Sequence, residues 1–497
     1  MGPPAQDRHH HAGLPRRLLP ARPAVPGPVL VHLPGLRSEL STAGSSRRIA
    51  IVGSGFSGVA VAWQLLGGLP SGSRITLING SGRFARGLAY GTQSADHLLN
   101  VPAGRMSLDP AQPEHFVQWL RAAGSPSAQG SEFVSRRRYG DYLQASLEAR
   151  IASRPDVALD PRVTAVTDVT PHAGRWQLQF SDGSTDLFDA VVLAIGHLAP
   201  RPPHPGLVGL AGYAADPWAE TALEGLAPDA SLALIGSGLT MLDVLISLRA
   251  RGHAGPVLAL SRRGLLPQGH RRNEGPPQPW ALDPAIAAGR PLREQLRRFR
   301  AELARAQAAG VDWRDVWAAF RADTPRAWRA LDAWGRRQFL RHLLPYWDVH
   351  RHRAAPQARA VLEDDLASGR LRHAAGRLIG VDARADRLHL HWRARGRAEV
   401  ETFSAARVIN CSGPSSVIDA ESSPLLWRLQ QAGRLQPCPH GLGLLVDEQH
   451  QVRDAHGRGQ AGLHYIGPHL RAQLWEATAV PELREHAAQL AAQLLRR

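Results

Sequence analysis

Residues 47–66, RRIAIVGSGFSGVAVAWQLL, constrain the fold more than any other stretch of the chain. The apolar run 49–52 is typical of a buried parallel strand, and three glycines follow at positions 1, 3 and 6 of a turn that enters an apolar helix. The first glycine permits the sharp bend, the second lets backbone approach a pyrophosphate, and the third lets the helix pack on the strand. The predicted dinucleotide-binding turn comprises Gly53, Ser54, Gly55, Phe56, Ser57 and Gly58.

A second strand, 75–78, completes this strand–turn–helix–strand unit. Asn79 follows it, 21 residues after Gly58, at the position where an acid normally accepts a ribose hydroxyl. The amide oxygen of Asn79 is still able to accept that hydrogen bond. We therefore expect a dinucleotide site here, and the alternative is a glycine-rich turn in an ordinary α/β domain.

Residues 231–248 repeat the pattern, 183 residues further along the chain. The strand 232–235 enters a turn in which Met241 replaces the third glycine, and another strand follows at 256–260. The repeat predicts a second dinucleotide-binding unit. Its predicted nucleotide contacts are Gly236, Ser237, Gly238, Thr240 and Asp243.

The second unit ends in Ser261, Arg262 and Arg263, where an NAD site would carry a carboxylate. A hydroxyl and two guanidiniums suit a 2′-phosphate instead. These residues predict NADPH as the ligand. The alternative is that two exposed arginines are surface charge only.

Other segments complete the predicted cofactor site. The irregular stretch 87–107 adjoins the first unit, and ordered irregular backbone beside a cofactor domain often holds the reactive ring; the alternative is a structural crossover loop. The last helix begins within 475–484, and its N-terminus either holds negative charge on a reduced ring or belongs to a plain docking helix. Buried strands end at three further glycines: Gly196, Gly413 and Gly467.

The composition excludes several kinds of catalytic and binding site that depend on lysine. The chain has no lysine, so all 59 basic residues are arginine, and a Walker-type lysine, a Schiff base to pyridoxal phosphate and a lysine general base are excluded. The formal net charge is +16, but the arginines are spread along the chain and are not interleaved with aromatic residues. We therefore expect a small-molecule substrate and no nucleic-acid partner.

The cysteines, the histidines and the apolar runs indicate which other partners and which compartment to expect. Cys411 and Cys438 lie 27 residues apart without a C-x-x-C motif, which argues against a redox disulfide or zinc site and fits a reducing cytoplasm. His350 and His352 have no further ligands nearby, so no metal is expected. No apolar run approaches the roughly 18 residues of a membrane span, so no membrane partner is expected.

Taken together, the motifs resemble those of the bacterial FAD-NAD(P)-binding family. These are flavoproteins with two dinucleotide-binding domains, distantly similar to flavin monooxygenases. The resemblance extends from about residue 49 to the C-terminus. It is carried by GSGFSG at Gly53, GLAYGT at Gly87, HLLNVPAGRMS at His97, RRRYGDYL at Arg136, GSGLTMLD at Gly236, SRRGLLP at Ser261, YWDVHRHR at Tyr346 and IGPHLRAQLWEATAVPELR at Ile466.

This resemblance implies FAD on the first unit and NADPH on the second. Asn79 and the first glycine turn would hold the ADP half of FAD, and the nicotinamide nucleotide would lie on the second turn with Arg262 and Arg263. The remaining residues expected to bind cofactor are Tyr90, Asn100, Val101, Met106, Gly196, Gly413, Gly467, Glu476 and Val480.

We expect an α/β protein with two Rossmann-like domains. A disordered extension, 1–46, would come first. The FAD domain would be discontinuous, 47–220 and 381–497, with a NADPH domain inserted at 221–380 that itself carries a helical insertion.

The expected function is an FAD-dependent, NADPH-using oxidoreductase that passes hydride from NADPH to flavin and hydroxylates a small molecule if oxygen is the acceptor. The alternatives are a flavin reductase or dehydrogenase with another acceptor, and a low-turnover flavin-binding sensor or scaffold. Neither a catalytic side chain nor an oligomeric state follows from the sequence.

Overall fold

The first domain opens with a strand, a glycine turn and a helix at the predicted place. In the computed structural model, which describes residues 45–272 and 276–496, β1 (Arg48–Val52) leads through the turn into α1 (Phe56–Gly68). The last four residues of β1 are buried, as their apolar run predicts. The strand β2 (Arg74–Ile78) pairs with β1 in parallel. The predicted N-terminal extension lies outside the described residues except for its last two positions.

Strands and helices alternate over much of the described chain. The remaining strands are β3 (Ala158–Arg162), β4 (Val166–His172), β5 (Arg175–Phe180), β6 (Thr185–Phe188), β7 (Ala190–Leu193), β8 (Tyr213–Ala214), β9 (Leu232–Ile235), β10 (Val257–Ser261), β11 (Leu371–Arg384), β12 (Arg387–Ala394), β13 (Val400–Ala405), β14 (Arg407–Asn410), β15 (Gln451–Arg453) and β16 (Gly459–Tyr465). The remaining helices are α2 (Gly87–Tyr90), α3 (His115–Ala122), α4 (Arg136–Ala152), α5 (Leu239–Ala250), α6 (Leu292–Ala308), α7 (Trp313–Arg321), α8 (Thr324–Ala330), α9 (Ala333–Gln338), α10 (Leu344–Arg351), α11 (Pro356–Ala367), α12 (Pro424–Gln431) and α13 (Val480–Leu495).

The first sheet has the strand order β15-β16-β7-β1-β2-β3. All of its neighbours pair in parallel except the edge strand β15. Apolar side chains of α1 and α13 share one core with α3 and α4, so the end of the chain returns to the helix that follows the first glycine turn. The antiparallel strands β4, β5 and β6 form a separate small sheet.

The second sheet has the strand order β13-β12-β11-β10-β9-β14-β8. Strands β9, β10 and β14 pair in parallel and carry the second glycine turn, as the sequence predicts. The boundary predicted at residue 380 falls inside β11, because this long strand continues into an antiparallel hairpin with β12. Strands β8 and β12 to β14 therefore extend the second domain beyond both predicted boundaries, 221 and 380.

The helical insertion, α6 to α10, packs away from the sheet whose chain it interrupts. Trp328 and Trp347 lie in one core with Cys438, Leu442 and Trp475, which belong to the C-terminal part of the first domain. The insertion thus covers the C-terminal segments that follow the second domain in the chain. Of the part of the chain that the structure describes, no helix is both long and apolar enough to cross a membrane.

Candidate functional site

The first glycine turn has the shape that a phosphate-binding turn requires. Gly53 has a φ of +109°, and a Cβ atom there would lie 2.4 Å from the carbonyl oxygen of Ala194, just after β7. A Cβ atom at Gly58 would lie 1.9 Å from the carbonyl oxygen of Gly53, which is why the helix is able to approach the strand. Gly55 stands at the start of α1 without a side-chain cap. The helix N-terminus is therefore left to an external anion.

Asn79 lies at the end of β2, as predicted, but both ends of its amide are engaged inside the loop. Its nitrogen donates to the Ser54 hydroxyl at 2.6 Å and to the Arg83 carbonyl at 2.8 Å. Its oxygen accepts from the backbone and the hydroxyl of Ser81, each at 3.0 Å. Asn79 thus organises the turn, and its predicted contact with a ribose would share or replace one of these bonds.

Aromatic side chains line the first domain beside the turn. Tyr90 packs edge-on against Tyr139, with ring centroids 4.6 Å apart, and Phe56 stacks on the same ring. The Tyr139 hydroxyl is buried without a hydrogen-bond partner, and burial raises its pKa well above the ordinary value. Burial also raises the pKa of Tyr90 to about 12, so both phenols stay protonated at neutral pH.

The segment after Tyr90 reaches the second domain. The Asn100 carbonyl lies 3.0 Å from the Nε2 atom of His270. Val101 is half-buried against the core of the first domain, and Met106 is fully buried. The structure therefore brings Asn100 to the boundary between the domains, while Met106 serves the core.

The second glycine turn is more open than the first. Gly236 has a φ of +119°, and a Cβ atom there would lie 2.1 Å from the carbonyl oxygen of Cys411, next to β14. Gly238 starts α5 without a side-chain cap, and nothing lies within 4 Å of the position that its Cβ would occupy. The Ser237 hydroxyl donates to the Leu265 carbonyl at 2.7 Å, and Thr240 is half-buried in the first turn of the helix. This helix N-terminus is also open to an anion.

The other four residues predicted near the second nucleotide lie in four different surroundings. Asp243 is buried, and its carboxylate pairs with Arg136 of the first domain at 2.6 Å, which is a contact between domains. Arg263 donates to the Arg341 carbonyl in the helical insertion at 2.7 Å. Gly413 follows β14 with a φ of +87° and open space beside it. Arg262 borders a cleft.

That cleft has a volume of about 430 Å³ and lies where β10 and β11 end their parallel pairing. Among its lining residues are five arginines and one histidine, with no carboxylate. A site of this charge suits a 2′-phosphate. The sequence pointed to Arg262 alone in this cleft, because the other basic residues come from the linker, from β11 and β12, and from the turn after β12: His204, Arg377, Arg393, Arg395 and Arg397.

The predicted glycines of the first domain meet the C-terminal segments. Gly196 follows β7 and has no atom within 4 Å of a Cβ position, so open space lies beside it. Gly467 has a φ of +140°, and a Cβ there would lie 3.0 Å from the Ile195 carbonyl oxygen. Val480 is buried and begins α13, which has no side-chain cap. Gly196 and Gly467 thus follow β7 and β16, and Val480 begins α13; we call the open space beside Gly196 the opening.

Glu476 lies beside this opening in a cluster of charged residues that the sequence did not indicate. Its Oε2 atom accepts from Arg351 at 2.9 and 2.6 Å, while its buried Oε1 atom has no hydrogen-bond partner. Sequence reasoning missed the cluster because its members come from five separate segments. We call the following residues the arginine cluster: Arg105, Arg321, Arg351, Arg471 and Arg484, with Asp348, Glu476 and Glu482.

Three histidines close to the cluster are held neutral. Burial and the positive charge of Arg471 lower the pKa of His197 to about 4. Burial, with Arg351 and Arg471, lowers the pKa of His352 to about 3. Burial and the neighbouring His197 lower the pKa of His469 to about 4. The imidazoles therefore add no positive charge at neutral pH.

Residues 50–198 match the model of the FAD-NAD(P)-binding family. The matched residues include most of β1, the first glycine turn and α1. The match agrees with the FAD and NADP cofactors that the resemblance implies. A curated relative, the L-aspartate N-monooxygenase (nitrosuccinate-forming) of Streptomyces cremeus, is 35% identical over 181 residues, or 34% of this chain. The chain covers only 24% of the length of that relative.

Solved structures share the fold of this protein over most of its length. The ornithine N-hydroxylase of Kutzneria sp. 744 has a TM-score of 0.60 at 15% identity, covering 91% of this chain and 100% of that one. The L-lysine 6-monooxygenase of Pseudomonas syringae has a TM-score of 0.62 at 17% identity, covering 91% and 99%. The predicted fold class, two Rossmann-like domains, is confirmed.

Proposed function

We propose that this protein is an FAD-dependent, NADPH-using monooxygenase that hydroxylates the amine nitrogen of a small amino acid. The observation that carries the proposal is a pair of uncapped helix N-termini, those of α1 and α5, each at the carboxyl end of a parallel sheet. Parallel α/β sheets bind dinucleotides at this end. The reaction type is supported by the names of the related proteins, which are N-hydroxylating enzymes.

The residues fit FAD on the first domain. The turn at Gly53 and Gly55 would hold the pyrophosphate, and the opening between Gly196 and Val480 would hold the flavin ring. The uncapped N-terminus of α13 would face the ring and favour negative charge on it. When bound, FAD supplies the two-electron transfer and the activation of oxygen.

NADPH fits the second domain. The turn at Gly236 and Gly238 would hold its pyrophosphate, and the arginine-lined cleft at Arg262 would hold its 2′-phosphate. The overall reaction would consume NADPH, a proton and oxygen, and would place one oxygen atom in the N–OH group of the product and the other in water. The role of the protein is to position the two rings and the substrate amine, and to exclude water from them.

One feature of the chain would exclude water. The helical insertion packs over the C-terminal segments beside the opening, through Trp328 and Trp475, whose ring centroids are 4.4 Å apart. The neutral His197, His352 and His469 would add no positive charge there. We also propose a cytoplasmic location, for which the support is the pair of free cysteines, Cys411 and Cys438.

The direct test follows NADPH, oxygen and product together. FAD-loaded protein is supplied with NADPH and amino acids including L-aspartate, while oxygen uptake, peroxide and the mass of the product are measured. We expect oxygen uptake that matches NADPH oxidation, and a product that gains one oxygen atom. Reduction of an added electron acceptor without oxygen uptake would support the reductase alternative instead. An absence of NADPH oxidation would support the sensor or scaffold alternative.

A further inference from the structure

Positive charge exceeds negative charge in the arginine cluster, which contains five arginines and three carboxylates. We propose that Arg105, together with Arg484, binds a carboxylate of the substrate, so that the enzyme takes an acidic amino acid and rejects diamines. This inference rests on the proposed function, because it assigns a substrate class to the same site. The supporting observation is that some arginines of the cluster have a carboxylate partner within it and others do not.

Three of the arginines already have carboxylate partners. Arg321 binds Glu482 through two bonds, at 2.5 and 2.6 Å, and Arg351 binds Glu476 at 2.9 and 2.6 Å. A nitrogen of Arg471 lies 3.5 Å from Asp348, and its guanidinium lies over the ring of Trp475. These pairs use all three carboxylates of the cluster.

Arg484 and Arg105 have no partner among these three carboxylates. A terminal nitrogen of Arg484 donates to the Ser107 carbonyl at 3.3 Å, and its Nε lies 3.5 Å from the half-exposed Glu485 carboxylate. The side chain of Arg105, two residues before Ser107, has no hydrogen bond or ion pair with any described residue. Over the whole residue Arg105 is exposed to solvent, although protein atoms surround its guanidinium, whereas the side chains of Arg321 and Arg351 are largely covered. A ligand entering the opening therefore meets an unpaired guanidinium.

The surroundings of Arg105 favour an anion. Burial among protein atoms and the charges of Arg321 and Arg351 lower its pKa to about 10, with Glu482 opposing the effect and Arg484 adding to it. The protein thus holds a positive charge where nearby charges and partial desolvation disfavour it. A bound carboxylate would relieve this cost through charge-assisted hydrogen bonds. A diamine would instead bring an ammonium group to this position, and its positive charge would increase the cost.

The phosphates of both cofactors have other places to bind. The FAD pyrophosphate is assigned to the turn at Gly55, and the NADPH phosphates to the turn at Gly238 and the cleft at Arg262. Arg105 lies on the segment of Asn100, which faces the second domain, and not on either turn. The remaining anions for this position are a substrate carboxylate and the charge of a reduced flavin. The substrate carboxylate is favoured because the uncapped α13 N-terminus already provides for the flavin.

The test is calorimetric titration of the FAD-loaded protein. L-aspartate, succinate, L-asparagine and cadaverine are titrated separately into the wild type, Arg105→Gln, Arg105→Lys and the control Arg297→Gln, an arginine that is 76% exposed on α6. We expect the wild type and the control to bind L-aspartate and succinate and not cadaverine. Arg105→Gln should bind them roughly ten- to a hundredfold more weakly, as expected for a lost charge-assisted hydrogen bond, with Arg105→Lys in between.

Several results would overturn the inference. They are tighter binding of cadaverine than of L-aspartate by the wild type, no binding of either acid, or equal affinities in wild type and Arg105→Gln. A loss of FAD, or slower reduction by NADPH without substrate, in Arg105→Gln would assign Arg105 to the flavin and also contradict it. If Arg105→Gln does not fold, the comparison of acids with cadaverine in the wild type still decides. Tight binding of acids by a wild type whose flavin NADPH does not reduce would leave this inference standing and refute the proposed function.

Discussion

Arg136 of α4 and Asp243 of α5 form an ion pair, 2.6 Å long, that joins the two dinucleotide domains. Both side chains are largely covered, with 15% and 8% of their surfaces exposed. Arg136 also donates to the Leu98 carbonyl, and the Nε2 atom of His97 lies 3.0 Å from the Asp243 carbonyl. The start of the second nucleotide-binding helix is therefore fixed against the first domain.

Replacing Asp243 by alanine tests whether this residue serves the domain contact or the nucleotide. The change leaves Arg136 buried without its partner, and we expect a loss of about 3–5 kcal/mol in the free energy of unfolding, measured by chemical denaturation. The KM for NADPH should stay within about twofold, because the carboxylate points to Arg136. A large rise in that KM at unchanged stability would show that Asp243 contacts the nucleotide instead.

The matched control is an exposed pair between the same parts of the chain. Arg83 and Glu220 lie 3.7 Å apart with 62% and 72% of their side chains exposed, so Glu220→Ala should change stability by less than about 1 kcal/mol. The double variant Arg136→Met/Asp243→Leu should regain much of the loss, because no buried charge is left unpaired.

Gly55→Ala should fold but bind FAD poorly. Its Cβ would lie 3.6 Å from the Cα of Gly87, an ordinary contact, yet it would occupy the approach to the α1 N-terminus. We expect FAD affinity to fall by about tenfold or more, equivalent to 1.4 kcal/mol, with the circular dichroism spectrum unchanged. The control Gly67→Ala, in the same helix, should retain FAD. Equal flavin content in both variants would show that the FAD pyrophosphate does not bind at this turn.

Arg262→Gln and Arg377→Gln should weaken the preference for NADPH over NADH. Both arginines line the cleft assigned to the 2′-phosphate, and each lost charge-assisted bond should lower the ratio of kcat/KM values roughly ten- to a hundredfold. Arg263→Gln is the control, because this side chain binds the Arg341 carbonyl. A wild type that prefers NADH, or a fall in the ratio confined to Arg263→Gln, would show that the cleft has another role.

His469 should make the fold less stable in mild acid. Burial and the nearby His197 lower its pKa from 6.5 to about 4, and the side chain is only 2% exposed. Because the unfolded chain binds the proton first, the loss of stability begins as the pH falls below about 6.5 and reaches about 3 kcal/mol near pH 4. Above pH 6.5 the group has no effect.

Denaturant titrations between pH 4 and 8 measure this dependence. His469→Asn should show a shallower fall below pH 6.5 than the wild type, while the exposed His172→Asn should not. Parallel curves for wild type and His469→Asn would mean that His469 does not differ in proton affinity between the folded and unfolded states.

Local patterns were enough to predict the two Rossmann-like domains. Each glycine turn is fixed by its own strand and helix, so the conformations of Gly53 and Gly236 follow from a few adjacent residues. The boundary at 380 was misplaced because β11 passes from parallel pairing into a hairpin without a break in the sequence. A change of pairing partner leaves no local signal.

The charged part of the site was hidden for a related reason. Arg321 and Glu482 meet although 161 residues separate them, since the helical insertion folds back on the first domain. Arginine is abundant throughout this lysine-free chain, so neither Arg105 nor Arg321 stands out by type. Only the three-dimensional arrangement shows which arginine lacks a carboxylate.

The most direct test of the central claim is the absorbance of the purified protein between about 300 and 550 nm, before and after NADPH is added without oxygen. We predict a flavin spectrum that NADPH bleaches and that NADH bleaches more slowly, followed by recovery of the oxidised spectrum when air is admitted. A protein that neither retains nor takes up flavin would contradict the assignment of the turn at Gly53. A bound flavin that NADPH leaves oxidised would contradict the assignment of the second domain.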